Sequence, residues 1–191
     1  MVSPAVLADR IRFAGLGCFI GGLLIVVISN IESLLEVPPI IVDLIAISMN
    51  LGLACGPLGV LALSASWSGR TRRVGYIGTS ITLLGICSYL AAILSKYFVG
   101  HEVEFFYPIG AFLLGVGMLT LGITAFVAQW LKGWRRMAPL FVGLYYVVMI
   151  PLQIVFFIIP NGEPSPILLE LWSVTWILLG YALWSSRTPL K

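Results

Sequence analysis

One histidine, His101, and three cysteines, Cys18, Cys55 and Cys87, are all that this chain of 191 residues offers toward metal or nucleophilic chemistry. The cysteines lie inside apolar runs and show no CxxC spacing, so they read as small buried side chains, not as zinc ligands or a disulfide framework. A single histidine excludes bis-histidine haem ligation and leaves no Ser-His-Asp set. His101, Glu102 and Glu104 share one short loop, which reads as solvated. No glycine-rich phosphate loop follows a strand. The sequence therefore implies no metal, no cofactor and no enzymatic activity. Charge is scarce as well, at 10% of residues, where soluble domains carry about 25%. A net charge of +3 is held in short turns and forms no basic face, which excludes nucleic acid as a partner.

What fills the chain is hydrocarbon. Apolar residues make up 60% of it, and the mean hydropathy is +1.05. A spanning helix needs roughly 20 apolar residues, and runs of that length recur between short polar loops. In lipid every backbone N–H and C=O needs an internal partner, and the runs lack the alternation of barrel strands, so they are helices. The expected fold is all-α: one polytopic membrane domain over residues 1–191, with six transmembrane helices near 13–31, 43–66, 74–96, 106–130, 138–159 and 167–185. Arg10 and Arg12 precede an apolar run longer than the roughly 7–15 residues of a signal-peptide core, so the first run is expected to stay as a span.

The loops orient the spans. Arg70, Arg72, Arg73, Lys132, Arg135 and Arg136 fall in one set of turns, and Arg10, Arg12, Arg187 and Lys191 flank the same side. Among Lys and Arg, Lys96 stands alone on the other. The positive-inside rule then places both termini in the cytoplasm, with the plasma membrane as the expected location. Glu32, Glu36, Asp43, Glu102, Glu104, Glu163 and Glu170 all fall on the opposite side, and Asp9 is the exception.

A repeat runs through the middle of the chain. Leu51–Arg73 coincides with Leu114–Arg136 at Leu51/Leu114, Gly52/Gly115, Leu58/Leu121, Gly59/Gly122, Ala62/Ala125, Trp67/Trp130, Arg72/Arg135 and Arg73/Arg136. Ala182-Leu183-Trp184 echoes its end. Spans 2 and 4 run in the same direction, so this repeat predicts three tandem helical hairpins with approximate threefold character, unlike the inverted repeats of many transporters.

Within that frame the notable residues read mostly as architecture. Gly52, Gly56 and Gly59, with Gly115 and Gly122, offer small faces for helix packing in lipid. Trp67, Trp130 and Trp184, beside Arg72, Arg73, Arg135 and Arg136, are expected as interfacial anchors that meet membrane lipids. Pro57 and Pro151 interrupt spans and free the carbonyls of Leu53 and Val147. No ionisable residue lies at mid-span, where proton-coupled carriers usually keep one. Polar side chains collect instead toward the acidic side. Asn50, Gln153 and Glu170 are expected to converge there, lined by Trp172 and Trp176, as a ligand site for a polar headgroup or an amine-bearing amphipath.

Two functional readings follow. The first is a non-enzymatic integral membrane protein, an accessory subunit or lipid-interacting structural protein with a membrane-protein partner or a second copy of itself. The second is a binder or transporter of a small neutral or amphipathic molecule through an outward-facing pocket.

Overall fold

A computed structural model describes residues 4–34, 37–64, 69–161 and 165–186. Trp67, Arg187 and Lys191 lie outside them. The described residues form helices and turns, with no strand among them. They comprise α1 (Pro4–Leu34), α2 (Pro39–Ser64), α3 (Arg70–Val99), α4 (Phe106–Val127), α5 (Ala138–Gln153) and α6 (Pro166–Trp184). A 3₁₀ turn, Gly133–Met137, leads into α5, and a π-helical stretch, Ile154–Ile158, follows it before a last short turn, Ile159–Asn161. Five stretches are long and apolar enough to cross a membrane: Val6–Asn30, Pro39–Ser64, Arg70–Val99, Phe106–Val127 and Gly133–Phe157. The 19 residues of α6 come close to the roughly 20 that a crossing takes. The helices thus fit an integral membrane protein; α1, α2 and α3 start before the expected spans, whereas α4 stops at Val127, short of the expected 130. α1 begins well before Phe13 and includes Arg10 and Arg12.

Pro39 and Pro166 open α2 and α6, where a missing N–H breaks no helical hydrogen bond. Gly100 ends α3 in the left-handed conformation (φ 84°), which a residue without Cβ adopts freely. The bundle has a basic end, with Arg12, Arg72 and Arg135, and an acidic end, with Asp43, Glu102 and Glu170.

The helices close a ring. Each packs on the next in the chain, and α6 returns against α1. α2 is the most central, since it also touches α4 and α6. The core joins α1, α2, α4 and α6 through Cys18, Leu53, Met118, Leu121, Trp176 and Leu179, all of them at or below 1% exposure. Many large apolar side chains around the bundle face outward, as Phe13, Leu84, Phe112 and Phe156 do.

Three like hairpins are not what this packing shows. α1 with α2 and α3 with α4 are closely packed, but α6 packs more extensively on α1 than on α5. The glycine contacts follow a different rule. A Cβ on Gly180 would stand 2.3 Å from Phe19 N and 2.8 Å from Gly15 O. One on Gly85 would stand 2.8 Å from Leu114 N and 2.9 Å from Gly110 O. Each residue in the first set lies 95 positions from its counterpart in the second. The same offset carries the Gly22–Ile177 contact onto Gly117–Thr82, and Gly15–Trp184 onto Gly110–Tyr89. It also brings the register of α1 on α2 (Gly21 at Gly52, Ala14 at Gly59) to within one residue of that of α4 on α5 (Leu119 at Gly143, Gly122 at Leu140). Successive helices are antiparallel, so α1 and α4 run in opposite directions. The packing therefore relates α1–α3 to α4–α6 by an inverted twofold. The physical reason is local: two helices in lipid approach closely only where a side chain is missing, and Gly15, Gly85, Gly110 and Gly180 supply those places.

The halves are not packed alike. Beyond Asn50, α2 buries Leu53, Gly56, Pro57, Gly59, Val60, Leu63 and Ser64. Beyond Tyr146, α5 buries Gln153 alone among its described residues, while Val147, Val148, Leu152, Val155 and Phe156 are exposed. α5 makes no contact with α1 or α3 comparable to those that α2 makes with α4 and α6.

Candidate ligand cavity at the acidic end

Where the second half of α5 stands away, the acidic end is hollow. A cavity of about 1020 Å³ opens between α1, α2, α3, the start of α4 and α6. Ile25, Ile28 and Ser29 of α1 form one wall. Asp43, Ala46, Met49 and Asn50 of α2 form a second, at the one-turn spacing that puts residues on one helical face. Tyr89, Ile93 and Lys96 of α3 repeat that spacing opposite, and Val37, Pro39, Val42, Glu102, Tyr107, Glu170 and Trp172 complete the lining.

The mouth is held by one ion pair. Lys96 Nζ and the Tyr97 hydroxyl both donate to the Asp43 carboxylate. Asp43 is 7% exposed overall, and a carboxylate so far from water needs such partners. Lys96 also lies 5.6 Å from the Tyr97 ring centroid. Tyr107 donates its hydroxyl to Glu102 and tilts against Tyr89, with ring centroids 5.7 Å apart. The formal charge of the lining is one Lys against three carboxylates, Asp43, Glu102 and Glu170. With Asp43 neutralised by Lys96, the excess negative charge belongs to Glu102 and Glu170.

Deeper, the polar groups thin out. Asn50 is 3% exposed and donates its amide to Ala46 O of its own helix at 2.9 Å. Trp172 presents one edge to the cavity and stands at 81° to Tyr146, with centroids 6.1 Å apart. Behind it lies Trp176, fully buried, its ring packed over Gly56. The Nε1 atoms of Trp172 and Trp176 and the Tyr146 hydroxyl are all buried, and none completes a hydrogen bond among the described residues.

The residues expected at a site therefore divide. Asn50, Glu170 and Trp172 meet on one cavity. Gln153 is buried in α5 but outside the lining, to which no residue of α5 contributes. Trp176 stays in the core. Asp43, Lys96 and Tyr97 are the addition that sequence reading missed as a site. One signal for them was present: Lys96 is the lone basic residue on the acidic side.

The five glycines read as packing residues all face close neighbours. A Cβ on Gly52 would meet Gly17 O and Gly21 Cα at 2.8 Å, and one on Gly56 would meet Cys18 Sγ at 2.9 Å. At Gly59 the neighbour is Leu183 Cδ1 (2.9 Å), at Gly115 Tyr146 Cβ (2.9 Å) and at Gly122 Leu140 Cα (2.5 Å). Among the tryptophans, Trp184 is 44% exposed, as an interfacial ring would be. Trp130 differs. It is 4% exposed and lies against Gly75 of α3, because the chain turns back after α4 and folds this ring under the bundle. Arg72 covers its own helical neighbour Tyr76, Arg73 is exposed, and Arg136 covers Phe126. Arg135 lines a second cavity, of about 770 Å³, at the basic end with Asp9, Arg12 and Trp184.

No family model matches the chain, nor does any curated protein or solved structure.

Proposed function

We propose that this integral membrane protein binds a small amphipathic amine in the cavity at its acidic end. The cavity itself carries the reading. It is large enough for an organic ligand, since such sites typically span about 300–1,000 Å³. Its walls are apolar at Ile25, Ile28, Met49 and Ile93, and its polar groups are few. Glu102 and Glu170 supply negative charge near the mouth, and Tyr89, Tyr107 and Trp172 supply aromatic faces, which attract ammonium groups. An inorganic cation would find too few carboxylates for a tight site. In this reading both termini and the basic turns face the cytoplasm of a cell whose plasma membrane holds the protein, and the cavity opens outward. Arg72, Arg73 and Trp184 meet lipid at the inner surface. No enzymatic step and no cofactor is assigned. The reading as an accessory subunit has no separate observation in its favour, since lipid covers the exposed apolar face of α5 as well as a partner helix would.

The test uses short ligands that stay largely out of micelles. Hexylamine, hexanol and hexanoate are titrated against the detergent-purified protein, and intrinsic tryptophan fluorescence is followed. Hexylamine should bind at least tenfold more tightly than either other compound. Glu170→Gln and Asn50→Leu should each weaken it several-fold, and Gln153→Leu should leave it unchanged. Equal affinity for hexylamine and hexanol, or no loss in Glu170→Gln, refutes the amine site.

A further inference from the structure

We infer that the chain is a carrier: its inverted halves exchange roles, so that the cavity at the acidic end closes as a related cavity at the basic end opens. The inference rests on the ligand cavity proposed above and adds transport to it, with the same small amphipathic amine as cargo.

Three observations meet here. The first is the twofold itself. Under the 95-residue offset, Gly15–Gly180 and Gly110–Gly85 are one contact seen twice. α1 against α6 and α4 against α3 are thus the tightly packed joints that both halves keep.

The second is the pair of cavities. Tyr89 and Tyr107 of the acidic cavity correspond to Trp184 and Arg12, and both of those line the cavity at the basic end. A fold with one binding pocket has no need of a second at the twofold-related place. In a carrier one site is reached from each side in turn, and the cavity at the basic end marks where the second path would deepen.

The third is the asymmetry between α2 and α5, which correspond under the offset. The second half of α2 is buried and plugs the basic end. The second half of α5 stands outside the bundle and leaves the acidic end open, and no residue of α5 lines the cavity there. Two related elements in unlike environments are what one snapshot of an alternating pair looks like. Each of these halves contains a proline, Pro57 in α2 and Pro151 in α5, one residue from correspondence. A proline removes one backbone hydrogen bond and makes a hinge there cheap. In α5 the π-helical stretch Ile154–Ile158 follows at once.

The opposite state then has α5 packed in and α2 swung out. Ser29, on the wall of the acidic cavity, is the counterpart of Thr124 in α4. Thr124 should line the basic cavity when that opens.

The experiment is accessibility labelling in proteoliposomes with a membrane-impermeant maleimide. The protein carries Cys18→Ala, Cys55→Ala and Cys87→Ala. His101→Cys and Lys132→Cys report which end faces the reagent. Ser29→Cys should label from the acidic end and Thr124→Cys from the basic end. Pro151→Ala, which restores a hydrogen-bonding N–H in α5, should slow labelling at Ser29→Cys and speed it at Thr124→Cys, each several-fold. Asn50→Cys with Tyr145→Cys, the next corresponding pair, repeats the measurement if a first variant fails to fold. If Ser29→Cys labels but Thr124→Cys does not label from the basic end, or labels without the reciprocal response, the carrier inference is overturned and the cavity stands as a static binding site. If Ser29→Cys does not label from the acidic end, the cavity reading falls and this inference falls with it.

Discussion

The Asp43 carboxylate of α2 accepts a hydrogen bond from Lys96 Nζ of α3 across a separation of 53 positions in the chain. That contact lies on the wall of the acidic cavity and, with the Tyr97 hydroxyl on the same carboxylate, joins α2 to α3 there.

Breaking it from one side should cost more than removing it. In Lys96→Met the Asp43 side chain, 10% exposed, loses its counter-ion and keeps the Tyr97 hydroxyl as a partner. Removing one partner of a fully buried pair costs about 3–5 kcal/mol. Lys96 is 30% exposed, so solvent screening reduces the expected loss to about 1–2 kcal/mol. Asp43→Asn with Lys96→Met should recover most of it. Thermal unfolding in detergent of the two single variants and the double variant gives the coupling, and additive losses would show that the pair contributes nothing.

Gly59 and Gly122 hold the same place in the 63-residue sequence repeat but should respond differently to alanine. At Gly122 the new Cβ meets backbone, with Leu140 Cα at 2.5 Å and Leu140 N at 2.7 Å. α4 and α5 must then separate, and overpacking of this kind costs about 1–3 kcal/mol. At Gly59 the nearest atom is the end of the Leu183 side chain, with Ala14 Cβ next at 3.1 Å. A rotamer change relieves much of that, and alanine gains up to about 1 kcal/mol of helix propensity over glycine. Gly122→Ala should lower the unfolding temperature clearly, and Gly59→Ala should change it little. Equal losses would mean that the α2–α6 joint is as rigid as the α4–α5 joint.

The inverted twofold predicts matched effects at matched joints. Gly85→Ala and Gly180→Ala each push a Cβ into the backbone of the facing helix, at Leu114 N and Phe19 N respectively. Both should destabilise by about 1–3 kcal/mol, in detergent melts read side by side. A large loss at one with none at the other would show that the two joints are not equivalent.

The Tyr146 hydroxyl is buried, and no partner completes a hydrogen bond to it among the described residues. Burying such a group unsatisfied costs about 1–3 kcal/mol. Tyr146→Phe removes it without altering the ring, which keeps its contact with Trp172. Stability should hold or rise by up to about 1 kcal/mol. A fall would mean that the hydroxyl has a partner in the membrane-embedded protein, such as water or ligand.

The sequence by itself determined a helical membrane protein, where its spans lie and which end of the bundle is basic. Those properties follow from hydrocarbon length, backbone hydrogen bonding and the spacing of arginines, and each is local to its run of residues. It also identified Gly52, Gly56, Gly59, Gly115 and Gly122 as close-packing positions, because a missing Cβ is visible in a sequence. How the helices pair was decided only in three dimensions. The conspicuous repeat, Leu51–Arg73 with Leu114–Arg136, falls on helices that run in the same direction, α2 and α4, and on their turns at the basic end of the bundle. The repeat that governs packing is sparse in sequence: Gly15/Gly110, Gly22/Gly117 and Leu83-Leu84-Gly85/Leu178-Leu179-Gly180. Backbone approach requires only that a side chain be absent, so it leaves few identities behind. The same limit hid half of the cavity. Asn50, Glu170 and Trp172 stood out as polar or aromatic groups at one depth, but Asp43 and Lys96 meet only because of how α2 and α3 are rotated about their axes. Helices that are apolar on all sides carry no amphipathic stripe to record that rotation. Gln153 stayed out of the site for a related reason: its depth is legible in the sequence, but which groups the end of α5 meets is decided by packing.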